Sequence, residues 1–514
     1  MKPVRSVVIV GGGTAGWLTA GIIAARHQAR MKAGGFSVTL VESPDIRTIG
    51  VGEGTWPTIR STLERIGVSE TALFRECDAA FKQGGKFVGW TTGAPEDAYY
   101  HPLMIPHGFS RVNLVPHWLE HGGRGSFCDF VTPQGRLCDR GLAPKTIAQG
   151  EYRSAANYSY HLDAGKFGPF LAKHCIETLG VRHVLADVTG VSQSESGDIS
   201  HLDTAQAGSV AGDLFVDCSG FRALLLGETL QVGFKSCADV LLCDTALAVQ
   251  VPYERPDQPM ASETIATAQE AGWIWDIGLP TRRGVGHVYS SRHTSEEAAR
   301  ETLLRYIGAH HRDLPVRKIP IRSGHRQVFW KNNCLAVGLA QGFLEPLEAS
   351  AIVLVELSAK LLAEQMPACR EVMDIVARRF NEVTAYRWGR IIDFLKLHYV
   401  LTQRTDTAFW RDNADPVTVP QRLQDMLTLW KFQSPWFFDE LDRLEEVFPA
   451  ASYQYVLYGM GYRTEVVPED RAESAPDAAR LVEENVRVTA QLCAQLPKNR
   501  ELLNQIYQYG LQPV

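Results

Sequence analysis

None of the ten cysteines in this 514-residue chain belongs to a C-x-x-C pair. Scattered from Cys77 to Cys493, they outline neither a zinc site nor a disulfide framework, and no metal is expected. No apolar run reaches the ~20 residues that a helix needs to cross a bilayer. A lysine-rich block is also missing, and the formal charge of -6 gives no electrostatic ground for binding nucleic acid or an anionic membrane. The first apolar stretch, Val7 to Val10, runs into glycines rather than a cleavage site. A secretory signal is therefore not expected, and free thiols fit a reducing cytoplasm. Repeats and low-complexity tracts are lacking too. With 45% hydrophobic and 21% charged residues, the chain can fill a large core in one domain or two interlocked ones. A small-molecule partner is the natural expectation.

The first fifty residues alternate an apolar run at 6–10, a helix-compatible stretch from Thr14 and a second run, Val38 to Val41, which is the rhythm of a β-α-β unit. The Gly- and Pro-rich stretch 84–150 has no clean period and reads as loops with short strands. Strand patterns return at 182–185, 214–217, 240–251 and 286–291, predicting a second sheet. From Ala351 helical spacing dominates, and Pro468 to Ala479 reads as an exposed connection. The expected class is α/β, a Rossmann-like dinucleotide-binding core with an additional sheet over 1–350, followed by a mainly helical, substrate-covering module over 351–514.

Gly11-Gly12-Gly13-Thr14-Ala15-Gly16 fits G-x-G-x-x-G between an apolar strand and a helix. Gly11 permits the tight turn, Gly13 lets backbone approach a pyrophosphate, and Gly16 allows close packing of helix on strand. Thr14 and Ala15 open the helix whose free N–H groups favour phosphate. Glu42 ends the next strand, where a carboxylate can accept ribose hydroxyls. FAD and NAD share this fingerprint. Two later segments favour FAD. Asp217-Cys218-Ser219-Gly220 resembles the second glycine return of FAD-dependent monooxygenases and halogenases, and Gly338 to Pro346 resembles the segment beside their flavin ring.

Four further motifs, in family order, resemble the flavin-dependent tryptophan halogenase family along most of the chain. They are Gly50-Val51-Gly52-Glu53-Gly54-Thr55, Trp273-Ile274-Trp275-Asp276-Ile277, Glu345-Pro346-Leu347-Glu348-Ala349-Ser350, and Arg404-Thr405-Asp406-Thr407-Ala408-Phe409-Trp410. The resemblance implies that reduced FAD, oxygen and bromide or chloride generate hypohalous acid, which is then aimed at an indole-type ring. It places Lys82, in Phe81-Lys82-Gln83-Gly84, as the residue that holds the halogen, with Lys86 the competing candidate one turn on. Glu348 would stabilise and deprotonate the ring cation. The backbone N–H groups of Ser350 and Ala351 would bind halide at a helix start. Val51, Val188, Leu339 and Ile352 would join the fingerprint around FAD, and Trp273 and Trp275 would stand between flavin and substrate. Departures from the pattern are Gly278 in place of the proline after the tryptophan motif and Ala349 in place of a serine.

His101, Leu103 and Tyr453 fall where the resemblance implies residues lining the indole site. Charges that would hold the ammonium and carboxylate of free tryptophan are not evident: Ser452-Tyr453-Gln454-Tyr455 interrupts a tyrosine pair and Met460 stands where a carboxylate is expected. Free indole, a substituted indole or a larger indole-bearing molecule is therefore the expected substrate. No nicotinamide module is evident, which implies a separate flavin reductase, and pairing of two copies is left open. The rival readings are an FAD-dependent aromatic monooxygenase, which needs neither Lys82 nor Glu348, and a non-catalytic flavoprotein.

Overall fold

Five short runs line up in parallel, the inner ones buried on both faces and Arg182–Leu185 an exposed edge. The sheet order is Cys334–Ala336, Leu214–Asp217, Ser6–Val10, Ser37–Glu42 and Arg182–Leu185, with Trp330–Lys331 antiparallel at one edge. The computed structural model describes residues 2–45, 52–94, 96–123, 125–437, 446–465 and 468–513, with backbone alone over 468–475. Val51 lies outside the described residues. The helix Thr14–Arg26 connects the first two parallel strands and packs against the helices Ser350–Glu364 and Ala164–Glu177.

The additional sheet has seven strands, in the order Arg317–Pro320, Thr245–Pro252, Arg282–Tyr289, Gly272–Gly278, Thr264–Gln269, Gly84–Val88 and Ala98–Pro102. Its pairs are antiparallel except Thr264–Gln269 beside Gly84–Val88. Gly52–Gly54 and Ala80–Lys82 flank Ser159–Asp163 in a three-stranded sheet that touches the seven-stranded one through Gly52–Gly54. The 84–150 stretch thus contributes two strands to a buried sheet and several short helices, more order than its composition implies.

Beyond residue 350 the chain is helical, including the 31-residue helix Arg370–Val400 and the helix Ala450–Gly459. One contiguous hydrophobic core joins Val7, Trp273, Leu354, Phe394 and Leu503, so the late helices share their interior with the nucleotide-type sheet. The expected connection at 468–479 is instead the start of the helix Pro468–Gln495, which contains Pro476. Four alanines and two glutamates lead that stretch, and burial of Ala478 and Leu481 anchors it. Good helix formers with an apolar anchor outweigh the missing proline N–H. Among the described residues, no helix is long and apolar enough to cross a membrane.

The fingerprint glycines divide into two jobs. A Cβ on Gly16 would lie 1.8 Å from the carbonyl oxygen of Gly11, whereas a Cβ on Gly13 would meet nothing within 4 Å. Gly16→Ala is therefore expected to cost about 1–3 kcal/mol of stability through overpacking. Gly13→Ala should melt like the wild type, because its methyl enters open cavity; thermal denaturation of the two ligand-free variants separates the effects.

Candidate active site

A cavity of about 930 Å³ runs from the glycine fingerprint to the helix Ala450–Gly459. At its nucleotide end, Gly11, Gly13, Thr14 and Ala15 form the wall, and the helix starting at Thr14 has no side-chain cap over its first N–H groups. Glu42 stands directly over Gly12, where a Cβ would collide with its carboxylate, and lies 2.8 Å from His183. Val188, Leu339 and Ile352 line the same space. Open donors for a pyrophosphate, a carboxylate for ribose and an elongated apolar continuation fit FAD. Gly16 does not reach the cavity: it packs on Gly11, and its part in binding is confined to shaping the turn.

Asp217 organises the neighbouring loop. Its buried carboxylate accepts hydrogen bonds from the N–H groups of Ser219, Leu225 and Leu226 and from the Ser219 hydroxyl. These bonds fold Cys218 to Arg222 against the cavity. In the adjoining sheet, Trp273 and Trp275 project from one face of the strand Gly272–Gly278, with ring centroids 6.4 Å apart, and both border the cavity. The Trp275 ring lies over Gly286, where a Cβ would come within 2.2 Å of it.

Lys82 reaches the same cavity from the end of the strand Ala80–Lys82. Its side chain is buried, and Nζ donates to the carbonyl of Thr55 at 3.2 Å. Burial pushes its pKa down to about 8, partly opposed by the charge of Glu348. Lys86 takes no part: it pairs with Asp139 at 3.1 Å, over the Tyr100 ring, away from the cavity wall. Another acid on the wall, Glu345, is also buried, which raises its carboxyl to about 7, while the Tyr399 hydroxyl donates to it at 2.6 Å.

Glu348 sits in a strained turn. Both Glu348 and Ala349 have left-handed backbone, with φ of 64° and 55°. The Trp56 indole N–H donates to the Glu348 carbonyl at 2.7 Å and helps hold that shape. Immediately after it, the helix Ser350–Glu364 begins without a side-chain cap, so the N–H groups of Ser350 and Ala351 open towards the cavity they line. The Glu348 carboxylate accepts from Nδ1 of His101 at 2.8 Å, and Nε2 of His398 lies 3.1 Å from the same oxygen, somewhat off the line of a good hydrogen bond. Burial would raise its pKa, but His101 and then His398 more than offset this and hold the carboxyl well below the usual carboxylate range.

Of the residues expected around the substrate, His101, Leu103, Trp273 and Trp275 border the cavity and Tyr453 does not. Tyr453 packs edge-on against Phe394 at 5.0 Å and beside Trp430 at 5.1 Å. Helical spacing explains the correction: Ala451, Ser452 and Tyr455 share the cavity face of their helix, and residue 453 is turned about 100° from 452. Trp56, Tyr99, His398 and Phe448 had no motif to reveal them, and Ser452 lay in a quoted segment without a role. A histidine near the end of a long amphipathic helix reads as a core residue until another segment supplies its partner.

The family model described as "Tryptophan halogenase" matches residues 6–476. Among curated proteins, the tryptophan 6-halogenase of Streptomyces toxytricini is 35% identical over 88% of this chain and 89% of its own length. Among solved structures, a tryptophan halogenase from Shewanella frigidimarina superimposes with a TM-score of 0.96 at 47% identity, covering 100% of this chain and 99% of that one. A flavin-dependent halogenase from Brevundimonas sp. BAL3 has a TM-score of 0.85 at 35% identity, covering 98% and 99%. With a matching family model over most of the chain and a cavity that fits FAD, the chain belongs to the tryptophan halogenase family and is an FADH2-dependent halogenase that uses oxygen and a halide.

Proposed function

We propose that Lys82 and Glu348 are the catalytic pair, acting on an indole-type substrate bound between the tryptophan wall and the helix Ala450–Gly459. The observation that carries this reading is the convergence of a buried amine and a buried, ionised carboxylate on one cavity that also contains the glycine fingerprint. Bound as its reduced form, FAD with oxygen and halide supplies hypohalous acid. Lys82 then holds that acid by a hydrogen bond and directs its halogen at the ring, in surroundings dry enough to strengthen the bond. Glu348 stabilises the cationic ring and takes the proton from the substituted carbon. Ser350 and Ala351 hold the halide with backbone N–H groups, and the cofactor rests on Gly11, Gly13, Thr14, Ala15, Glu42, Val188, Leu339 and Ile352.

The substrate end favours a neutral indole. Along the cavity wall at 102–105 and 447–455 there is no charged side chain to pair with an amino-acid zwitterion. Leu103, Phe448 and Tyr455 instead offer apolar and aromatic surface. We place the enzyme in the cytoplasm, supplied with FADH2 by a separate reductase, with residues 351–514 covering the substrate and with pairing of two copies open to direct measurement.

Three outcomes are expected. Incubation with reduced FAD, oxygen and bromide or chloride, followed by mass spectrometry, should give halogenated indole with turnover well above that of free tryptophan; efficient use of tryptophan with indole inert would reverse the assignment. The purified chain alone should not oxidise NADH, measured by absorbance. Lys82→Met should abolish halogenation while FAD binding survives. It should also stabilise the fold, because a buried ammonium is held against its preference. The folded pKa of about 8 lies below the ordinary 10.5, so the burden is full below pH 8 and fades as pH rises towards 10.5. Thermal melts should therefore show a gain equivalent to roughly 1–3 kcal/mol at pH 7 and little at pH 10.

A further inference from the structure

We propose that His398 and Tyr99 are positioning residues for Glu348: a phenol hydroxyl fixes the imidazole tautomer that presents an N–H to the carboxylate. The inference rests on the catalytic role proposed for Glu348 and adds what keeps that group oriented. Oε1 of Glu348 faces both imidazoles, from His101 at 2.8 Å and His398 at 3.1 Å, and Oε2 takes no hydrogen bond among the described residues. An ionised carboxylate only accepts, so each ring must present N–H to it.

For His398 this demand decides the other nitrogen. The ring is fully buried, which lowers its pKa despite the neighbouring carboxylate. A neutral imidazole carries one N–H. With that proton on Nε2 facing Glu348, Nδ1 is an acceptor, and the Tyr99 hydroxyl lies 2.6 Å from it. Tyr99 is suited to donate, since burial raises its phenol pKa well above the ordinary value. Without the hydroxyl, the proton can move to Nδ1, and the Nε2 lone pair would then face the carboxylate and repel it.

The fold delivers this chain of contacts economically. Tyr99 and His101 alternate onto one face of the strand Ala98–Pro102, so one strand supplies both a direct donor to Glu348 and the brace for the second. Phe87, on the adjacent strand Gly84–Val88, stacks on Tyr99 at 4.8 Å and on His398 at 4.6 Å and restricts both rings. His101 is backed by the Ser452 hydroxyl at 2.9 Å on the cavity side, whereas the Tyr99–His398 arm lies wholly in the interior. The titratable groups facing the carboxylate are His101 and Tyr99 from this strand, Lys82 from Ala80–Lys82 and His398 from the helix Arg370–Val400.

The test measures kcat and KM for indole against pH, with reduced FAD supplied, in the wild type, Glu348→Gln, Tyr99→Phe, His398→Gln and His398→Phe. FAD binding and melting temperature are recorded for each. His398→Phe is expected to lower kcat about 10- to 100-fold, the usual scale for losing an orienting partner, with KM changed less than about twofold. His398→Gln, whose amide can donate, should recover most of that loss, and Tyr99→Phe should lower kcat with KM changed less than about twofold while folding normally. Equal losses in His398→Gln and His398→Phe, or an unchanged kcat in Tyr99→Phe, overturn the brace. Full activity in Glu348→Gln would overturn instead the catalytic role on which it rests.

Discussion

A full negative charge held inside a largely apolar cavity is the constraint around which the active site is arranged. Removing a carboxylate from water costs several kcal/mol, and only close, well-aimed partners offset it. Glu348 has two imidazoles from different elements, a hydrogen bond from His101 on a strand at 2.8 Å and His398 on a helix at 3.1 Å, close but less well aligned. Its backbone adds a second demand. Two successive left-handed, non-glycine residues each cost about 1–3 kcal/mol, so the turn persists only because the Trp56 bond and the following helix hold it. That turn aims the carboxylate inward and leaves the following helix without a side-chain cap, so one local distortion places the acid and opens the helix N–H groups.

Lys82 presents the complementary problem. Its ammonium has a backbone carbonyl for a partner and the field of Glu348 nearby, yet burial still lowers its affinity for protons. A lysine lowered to about 8 carries more free amine at neutral pH than an ordinary one, and the free amine is the nucleophilic form, while the remaining ammonium is the stronger hydrogen-bond donor. Trp273 and Trp275 border the same cavity and add apolar surface to it, and an apolar lining strengthens the field between the two charges. Stability is thus sacrificed at residues 82, 348 and 349, and the shared core of sheets and late helices carries the load.

Much of the first half of the fold was legible because its signals are local. An apolar strand, a glycine turn and a helix start must be neighbours in sequence to work, and so the fingerprint, Glu42 and the parallel strands emerged where periodicity put them. Lys82 and Glu348 were reached through their surrounding motifs, and both lie on the cavity. Misreadings arose where the deciding neighbour is distant. Pro468 to Ala479 resembles a connection until Ala478 and Leu481 are seen to be buried, and Tyr453 resembles a substrate contact until its helix is rotated into place.

By itself, the order of residues determined the nucleotide-type strand, turn and helix, the family motifs and the chemical types available for catalysis, since each depends on spacing within a few residues. Tertiary structure alone decided which lysine enters the cavity, which face of the helix Ala450–Gly459 meets it, and that His101 and His398 meet on a single oxygen of Glu348. Those outcomes turn on contacts between segments up to about three hundred residues apart, and on desolvation that exists only once those segments have closed around the site.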